Sequence, residues 1–63
     1  MYKVSLKAAR VNAGLRQEDA AELIHVSKAT IVSWEQKKTF PKADQLKSLC
    51  SIYSVPIDVI SLQ

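Results

Sequence analysis

Five lysines, Lys28, Lys37, Lys38, Lys42 and Lys47, follow one another from residue 28 onward with only Glu35 and Asp44 as nearby acids. Glu18, Asp19 and Glu22 crowd into one short stretch before them, so the charge is segregated along the sequence. An ammonium group only donates, and a modest cationic excess of this kind is compatible with a polyanionic partner without demanding one. The other chemistries lack their parts. General acid–base work needs paired groups in a shielded pocket, whereas the acids fall on a solvated helix, with a single histidine (His25) and a single cysteine (Cys50) to accompany them. The same two residues cannot make a structural zinc site, which takes about four Cys or His ligands. The expectation is no enzyme, no metal and no cofactor.

Length and composition point the same way. The chain has 63 residues, a net charge of +3 and a pI near 9.3. A chain of this size buries only about 60% of the surface its unfolded form exposes. One domain spanning residues 1–63 is expected, with little room for an enclosed cavity. A lone thiol forms no intramolecular disulfide, which suits a reducing compartment. No run approaches the roughly 18 consecutive apolar residues of a membrane span, and Met1–Ser5 lacks an apolar signal core. These features predict a cytoplasmic protein without membrane contact.

One Gly, two Pro and no alternating Val/Ile/Thr runs argue against a sheet and for an all-α fold of five short helices. Ser5 is a fitting N-cap for the first, with Leu6, Ala9, Arg10 and Ala13 on one face and Gly14 placed to stop it at positive φ. The second starts at Gln17, has Glu18 and Asp19 in its first turn, and turns Ala20, Ala21, Leu23 and Ile24 inward. His25-Val26-Ser27 breaks the pattern. Ser27 caps a third helix, Lys28 to Glu35, whose inward pair is Ile31 and Trp34. Gln36 to Pro41 reads as an exposed loop, because Pro41 disfavours helix at Phe40. A fourth helix buries Leu46, Leu49, Cys50 and Tyr53. Pro56 is suited to the first position of a fifth, with Ile57, Val59, Ile60 and Leu62 available for packing. Tyr2 is open to packing or to DNA contact.

Two short helices joined by a three-residue turn must cross steeply. That is helix-turn-helix geometry, in which the second helix projects and fits a major groove about 12 Å wide. Ala21 is small where the helices touch, and Lys28, Ala29, Thr30, Val32 and Ser33 leave a polar or small outer face on the projecting helix.

Here the chain resembles the lambda-repressor-like, Cro/repressor-type helix-turn-helix proteins, also called the XRE family. The likeness spans nearly the whole sequence: Arg10, Gly14-Leu15-Arg16-Gln17, Ala20-Ala21, Val26-Ser27, Ile31, Ser33-Trp34-Glu35, Pro41, Leu46 and Tyr53-Ser54-Val55-Pro56. Three positions depart from the family pattern. Arg16 replaces the usual Ser or Thr cap, at an expected cost of about 1 kcal/mol. His25 and Lys37 replace glycines, so non-glycine residues are expected at positive φ, for about 1 kcal/mol or more each.

The resemblance implies a sequence-specific transcriptional regulator, of the repressor kind found in phages and mobile elements. It implies base reading by Ser27, Lys28, Ala29, Val32 and Ser33, where lysine suits guanine and the small apolar groups suit a thymine methyl. It further implies phosphate binding by Gln17, Thr30, Lys37, Lys38, Thr39 and Lys42, and a buried structural ion pair between Arg10 and Glu35. Members of that family often pair through the last helix and the loop before it. The apolar excess at Val59, Ile60 and Leu62 therefore suggests a dimer patch, with double-stranded DNA as partner and a homodimer on a pseudo-palindromic operator. A stand-alone, Cro-like regulator is expected from the length. Two rival readings share the same core: an antitoxin or restriction-controller type of DNA binder, and a protein-interaction module of the same fold.

Overall fold

The computed structural model describes residues 3–62; Met1, Tyr2 and Gln63, and with them the reading of Tyr2 and the outer limits of the 1–63 domain, lie outside the described residues. Strand β1 (Val4–Ser5) leads into helices α1 (Leu6–Asn12), α2 (Gln17–Leu23), α3 (Lys28–Glu35) and α4 (Ala43–Tyr53), then a 3-10 turn (Ile57–Val59) and strand β2 (Ile60–Ser61). The five-helix expectation is corrected: among the described residues there are four α-helices, and the predicted fifth is a 3-10 turn. Pro56 stands just before that turn with extended ψ, and not inside it. The all-α reading holds for everything but one short pairing, in which β1 and β2 run parallel with Val4 opposite Ile60 and Ser5 opposite Ser61. Lys3 reinforces this clasp by donating from Nζ to the Asp58 carbonyl at 2.7 Å.

Each helix boundary has a local cause. Ser5 Oγ accepts the Ala8 N–H at 3.0 Å and starts α1, while Gly14, at φ +75°, ends it. Arg16 has no side-chain acceptor, yet α2 starts well because Asp19 Oδ2 reaches back to the Arg16 N–H at 2.9 Å. This is one half of a capping box, supplied from the third helical position. Ser27 Oγ accepts the Thr30 N–H at 3.2 Å and starts α3. Gln45 Oε1 accepts the Lys42 N–H at 2.8 Å and does for α4 what Asp19 does for α2.

Left-handed backbone appears at His25 (φ 61°) and Lys37 (φ 63°), as the missing glycines required, and also at Ser54 (φ 57°) after α4. At all three a backbone bond closes over the turn: Val26 N–H to Ala21 O at 2.9 Å, Lys38 N–H to Ser33 O at 3.0 Å and Val55 N–H to Cys50 O at 3.1 Å. The carbonyls left open at the helix ends are thereby satisfied.

The core gathers Leu6 and Ala9 from α1, Ala20 and Ala21 from α2, Ile31 and Trp34 from α3, Leu49, Cys50 and Tyr53 from α4, and Ile60 from β2. Ala20 and Ala21 let α2 and α3 approach closely, and these two helices share the most extensive contact in the molecule. Two residues assigned inward lie outside: Ala13 is exposed in the cap of α1, and Leu23, the last residue of the seven-residue α2, is 54% exposed. Burial desolvates the Cys50 thiol and pushes its pKa up, as suits a small core residue.

The apolar tail also differs from its reading. Ile60 is 8% exposed and belongs to the core, with Leu62 packed half-buried against it and Val59 half-buried in the 3-10 turn. Strand pairing with β1 gives these side chains an interior that a fifth helix would not have offered. The exposed apolar group of this segment is Ile57.

Candidate nucleic-acid interface

The two sides of α3 carry different chemistry. Ile31 and Trp34 fix the inner side in the core, and Glu35 anchors its carboxyl end to α1 and α2. Arg10 Nε donates to Glu35 Oε2 at 2.7 Å, and Arg10 Nη1 donates to the Leu15 carbonyl at 2.8 Å. The side chains of this pair are only 10% and 5% exposed. The bond to Glu35 raises the Arg10 pKa above its ordinary value against the desolvation that lowers it. Arg10 Nη2 donates to Glu35 Oε1 at 3.4 Å, and the same oxygen takes a third donor, Gln17 Nε2, at 3.0 Å. Helices α1 and α2 thus meet α3 on one carboxylate, and the Arg10 guanidinium ties in the loop entering α2. Among the described residues no buried side-chain polar atom lacks a partner.

The outer side of α3 forms an open depression lined by Lys28, Ala29, Val32, Ser33, Gln36 and Lys38. Four of the five residues read as base-facing line it together. The fifth, Ser27, lies at the start of the helix with its hydroxyl bonded to the Thr30 N–H and, at 2.9 Å, to Thr30 Oγ1. Ser33 Oγ and Thr39 Oγ1 are 2.8 Å apart and tie the helix to the following loop. Lys28, Lys37, Lys38 and Lys42 are all exposed, on the helix or on the loop that leaves it. Of the residues read as phosphate-binding, Lys38 alone lines the depression.

Gln36 escaped the sequence reading, although it lies four residues after Val32 and three after Ser33, the spacing that extends a helical face by one turn. Gln17 is found in a role that sequence distance hides, its amide turned toward Glu35, 18 residues on. The acids of α2 lie off this face. Arg16 pairs there with Asp19 at 3.2 Å, and the Arg16 backbone N–H, with its guanidinium second, holds the Asp19 carboxyl below the usual carboxylate range. Among the described residues no group of three or more His, Cys, Asp or Glu could hold a metal ion, and no helix is long and apolar enough to cross a membrane.

Comparison with known proteins agrees with this geometry. A family model described as Helix-turn-helix matches residues 6–60, most of the chain. The chain is 35% identical over 57 residues to the HTH-type transcriptional activator BcrR of Enterococcus faecalis, which covers 90% of this chain and 28% of that protein. It is 33% identical over 57 residues to the cryptic phage CTXphi transcriptional repressor RstR of Vibrio cholerae, covering 90% of this chain and 51% of that protein. The chain therefore spans about a quarter to a half of the length of these relatives. No solved structure matches it significantly.

Proposed function

The chain belongs to the helix-turn-helix family of the XRE type, and from that premise we propose that it is a sequence-specific DNA-binding transcriptional regulator, a repressor, that places α3 in the major groove of an operator half-site. The observation that carries this reading is the outer side of α3: an uncovered face with lysines on its lining, held by an inner side that is packed and ion-paired. A helix about 10–12 Å across fills a groove about 12 Å wide. Lys28, Ala29, Val32 and Ser33 then address base edges, with Ser27 at the helix start. Lys37, Lys38, Thr39 and Lys42 follow the phosphate backbone, with Gln17 and Thr30 on the flank. Positioning contacts of this kind carry affinity, and base contacts carry preference.

In this reading the described residues form one DNA-binding unit that is non-enzymatic, acts in the cytoplasm and needs no cofactor. It acts as a homodimer on half-sites about 34–36 Å apart, one turn of duplex. Ile57 replaces Ile60 as the exposed apolar group of its C-terminal patch, beside half-buried Val59 and Leu62. One of the two relatives is named a repressor and the other an activator. The phage origin of the former supports the repressor reading, and transcription from a reporter carrying the selected operator decides the sign.

Titration of random duplex against salt tests the reading. DNA binding predicts log K falling with log[salt] at about −0.9 per phosphate contacted, and Lys38→Ala reducing that slope by about 1. A protein-interaction module of the same fold predicts no salt-dependent binding to any duplex. An antitoxin or restriction-controller role would leave the binding intact, and selection from a random DNA pool would then return the protein's own promoter.

A further inference from the structure

The depression on the outer side of α3 is lined by two apolar residues, two lysines, and two groups, Ser33 and Gln36, that can both donate and accept a hydrogen bond. Ala29 and Val32, three residues apart on one face, contribute only methyl groups to it. Ser33 Oγ and Thr39 Oγ1, 2.8 Å apart, share a hydrogen bond in which either atom can be the donor. The Gln36 amide on the same lining has both a donor and an acceptor end. The two lysines that share the lining, Lys28 and Lys38, match a polyanion and single out duplex DNA as the occupant.

Pyrimidines differ in the major groove in two ways. Thymine shows an O4 acceptor and a C5-methyl group, whereas cytosine shows an N4 donor and no methyl. Distinguishing O4 from N4–H requires a wall group fixed as donor or as acceptor. Neither the reversible hydroxyl pair nor the two-ended amide is fixed in that sense. The apolar side chains of Ala29 and Val32, by contrast, distinguish a methyl group from a hydrogen by contact area alone. The two fixed donors of the lining are engaged elsewhere, Lys28 by purine acceptors on a neighbouring pair and Lys38 by the phosphate backbone, which leaves Ala29 and Val32 to the pyrimidine.

We propose that this depression reads the C5-methyl group of a pyrimidine irrespective of the base that bears it, so that thymine and 5-methylcytosine are accepted alike and cytosine methylation within the half-site raises affinity. The inference rests on the DNA-binding reading above and deepens it: the same face becomes a sensor of a covalent mark on the operator.

The test uses the full chain and a half-site selected from a random DNA pool. Each pyrimidine position in turn carries thymine, uracil, 5-methylcytosine or cytosine opposite the matching purine, and binding is followed by fluorescence anisotropy. At one position or an adjacent pair, uracil should bind about fourfold more weakly than thymine, and cytosine about fourfold more weakly than 5-methylcytosine, the loss expected for one buried carbon of roughly 0.8 kcal/mol. Agreement of the two ratios is the signature of methyl reading. Val32→Ala should bring both toward one while leaving the salt slope unchanged.

Methyl ratios near one at every position overturn the proposal. So do a thymine-to-uracil ratio without a matching 5-methylcytosine-to-cytosine ratio, which would show that the exocyclic group is read, and ratios unmoved in Val32→Ala, which would place the methyl elsewhere. All three leave DNA binding standing. Absence of salt-dependent binding to any duplex overturns the DNA-binding reading, and this proposal with it.

Discussion

The inner and outer sides of α3 are built from the same eight residues, yet they solve opposite problems. On the inner side Ile31 is fully buried, Trp34 is in the core, and the Glu35 carboxylate is shared by Arg10 and Gln17. On the outer side Lys28 and Ala29 are exposed, and the few hydrogen bonds are between hydroxyls whose direction can reverse. The inner side admits few substitutions because every polar atom is committed to a partner. The outer side admits many, because little of the fold depends on it. Recognition can therefore change from one sequence to another without the fold changing.

That division predicts effects of different kind and size. The largest falls on the inner side. Arg10→Met strands the Glu35 carboxylate and should cost about 3–5 kcal/mol, read as a lower urea midpoint at unchanged slope. An unchanged midpoint would mean that the ion pair contributes nothing.

Tyr53 supplies the next. Burial, with the Glu35 charge behind it, pushes its hydroxyl up to about 12. The folded-state value lies above the ordinary 10.0, so this contribution is complete below pH 10 and is lost as the pH rises through 12. At about 1.36 kcal/mol per unit, roughly 2–3 kcal/mol is at stake. The phenolate absorbance at 295 nm should show a late step that coincides with unfolding and is missing in Tyr53→Phe.

On the outer side the currency changes. Lys28→Ala should alter stability by less than about 0.5 kcal/mol while costing about 1–3 kcal/mol of preference at one base pair. Equal weakening on every duplex would instead assign Lys28 to phosphate and erase the distinction from Lys38.

The smallest effect belongs to the turn that joins α2 to α3 and lies on neither side. His25→Gly relieves left-handed strain at φ 61° but adds freedom to the unfolded chain, and should stabilise by about 0.5–1 kcal/mol with DNA affinity unchanged.

These contrasts also explain what could be read from the sequence. Helical period and caps located all four helices, because Ser5, Ser27 and Gly14 act on their immediate neighbours. The strain at His25 and Lys37 was legible as missing glycine, whereas Ser54 turns left-handed with no residue to announce it. The β1–β2 pairing was invisible, since two residues per strand carry no period. Reading the last apolar run as helix then misplaced Ile60 on the surface. The outer face of α3 was legible nearly whole, with Gln36 the omission, because an exposed face needs only spacing to define it. The Gln17–Glu35 bond was not, because it depends on how separate helices dock.

The clasp between the chain's two ends has a bearing on how the molecule opens. Lys3 and Asp58 stand 55 residues apart, so closing this ring requires almost the whole chain to be arranged first. The entropic toll of closure grows only with the logarithm of ring length, but it falls on a single short pairing. The helix pair α2–α3, made of near neighbours in sequence, has no such prerequisite and is suited to assemble first. In amide exchange the clasp would then be the first region to breathe and the last to close, a latch whose opening bares Ile60 while α3 keeps its place.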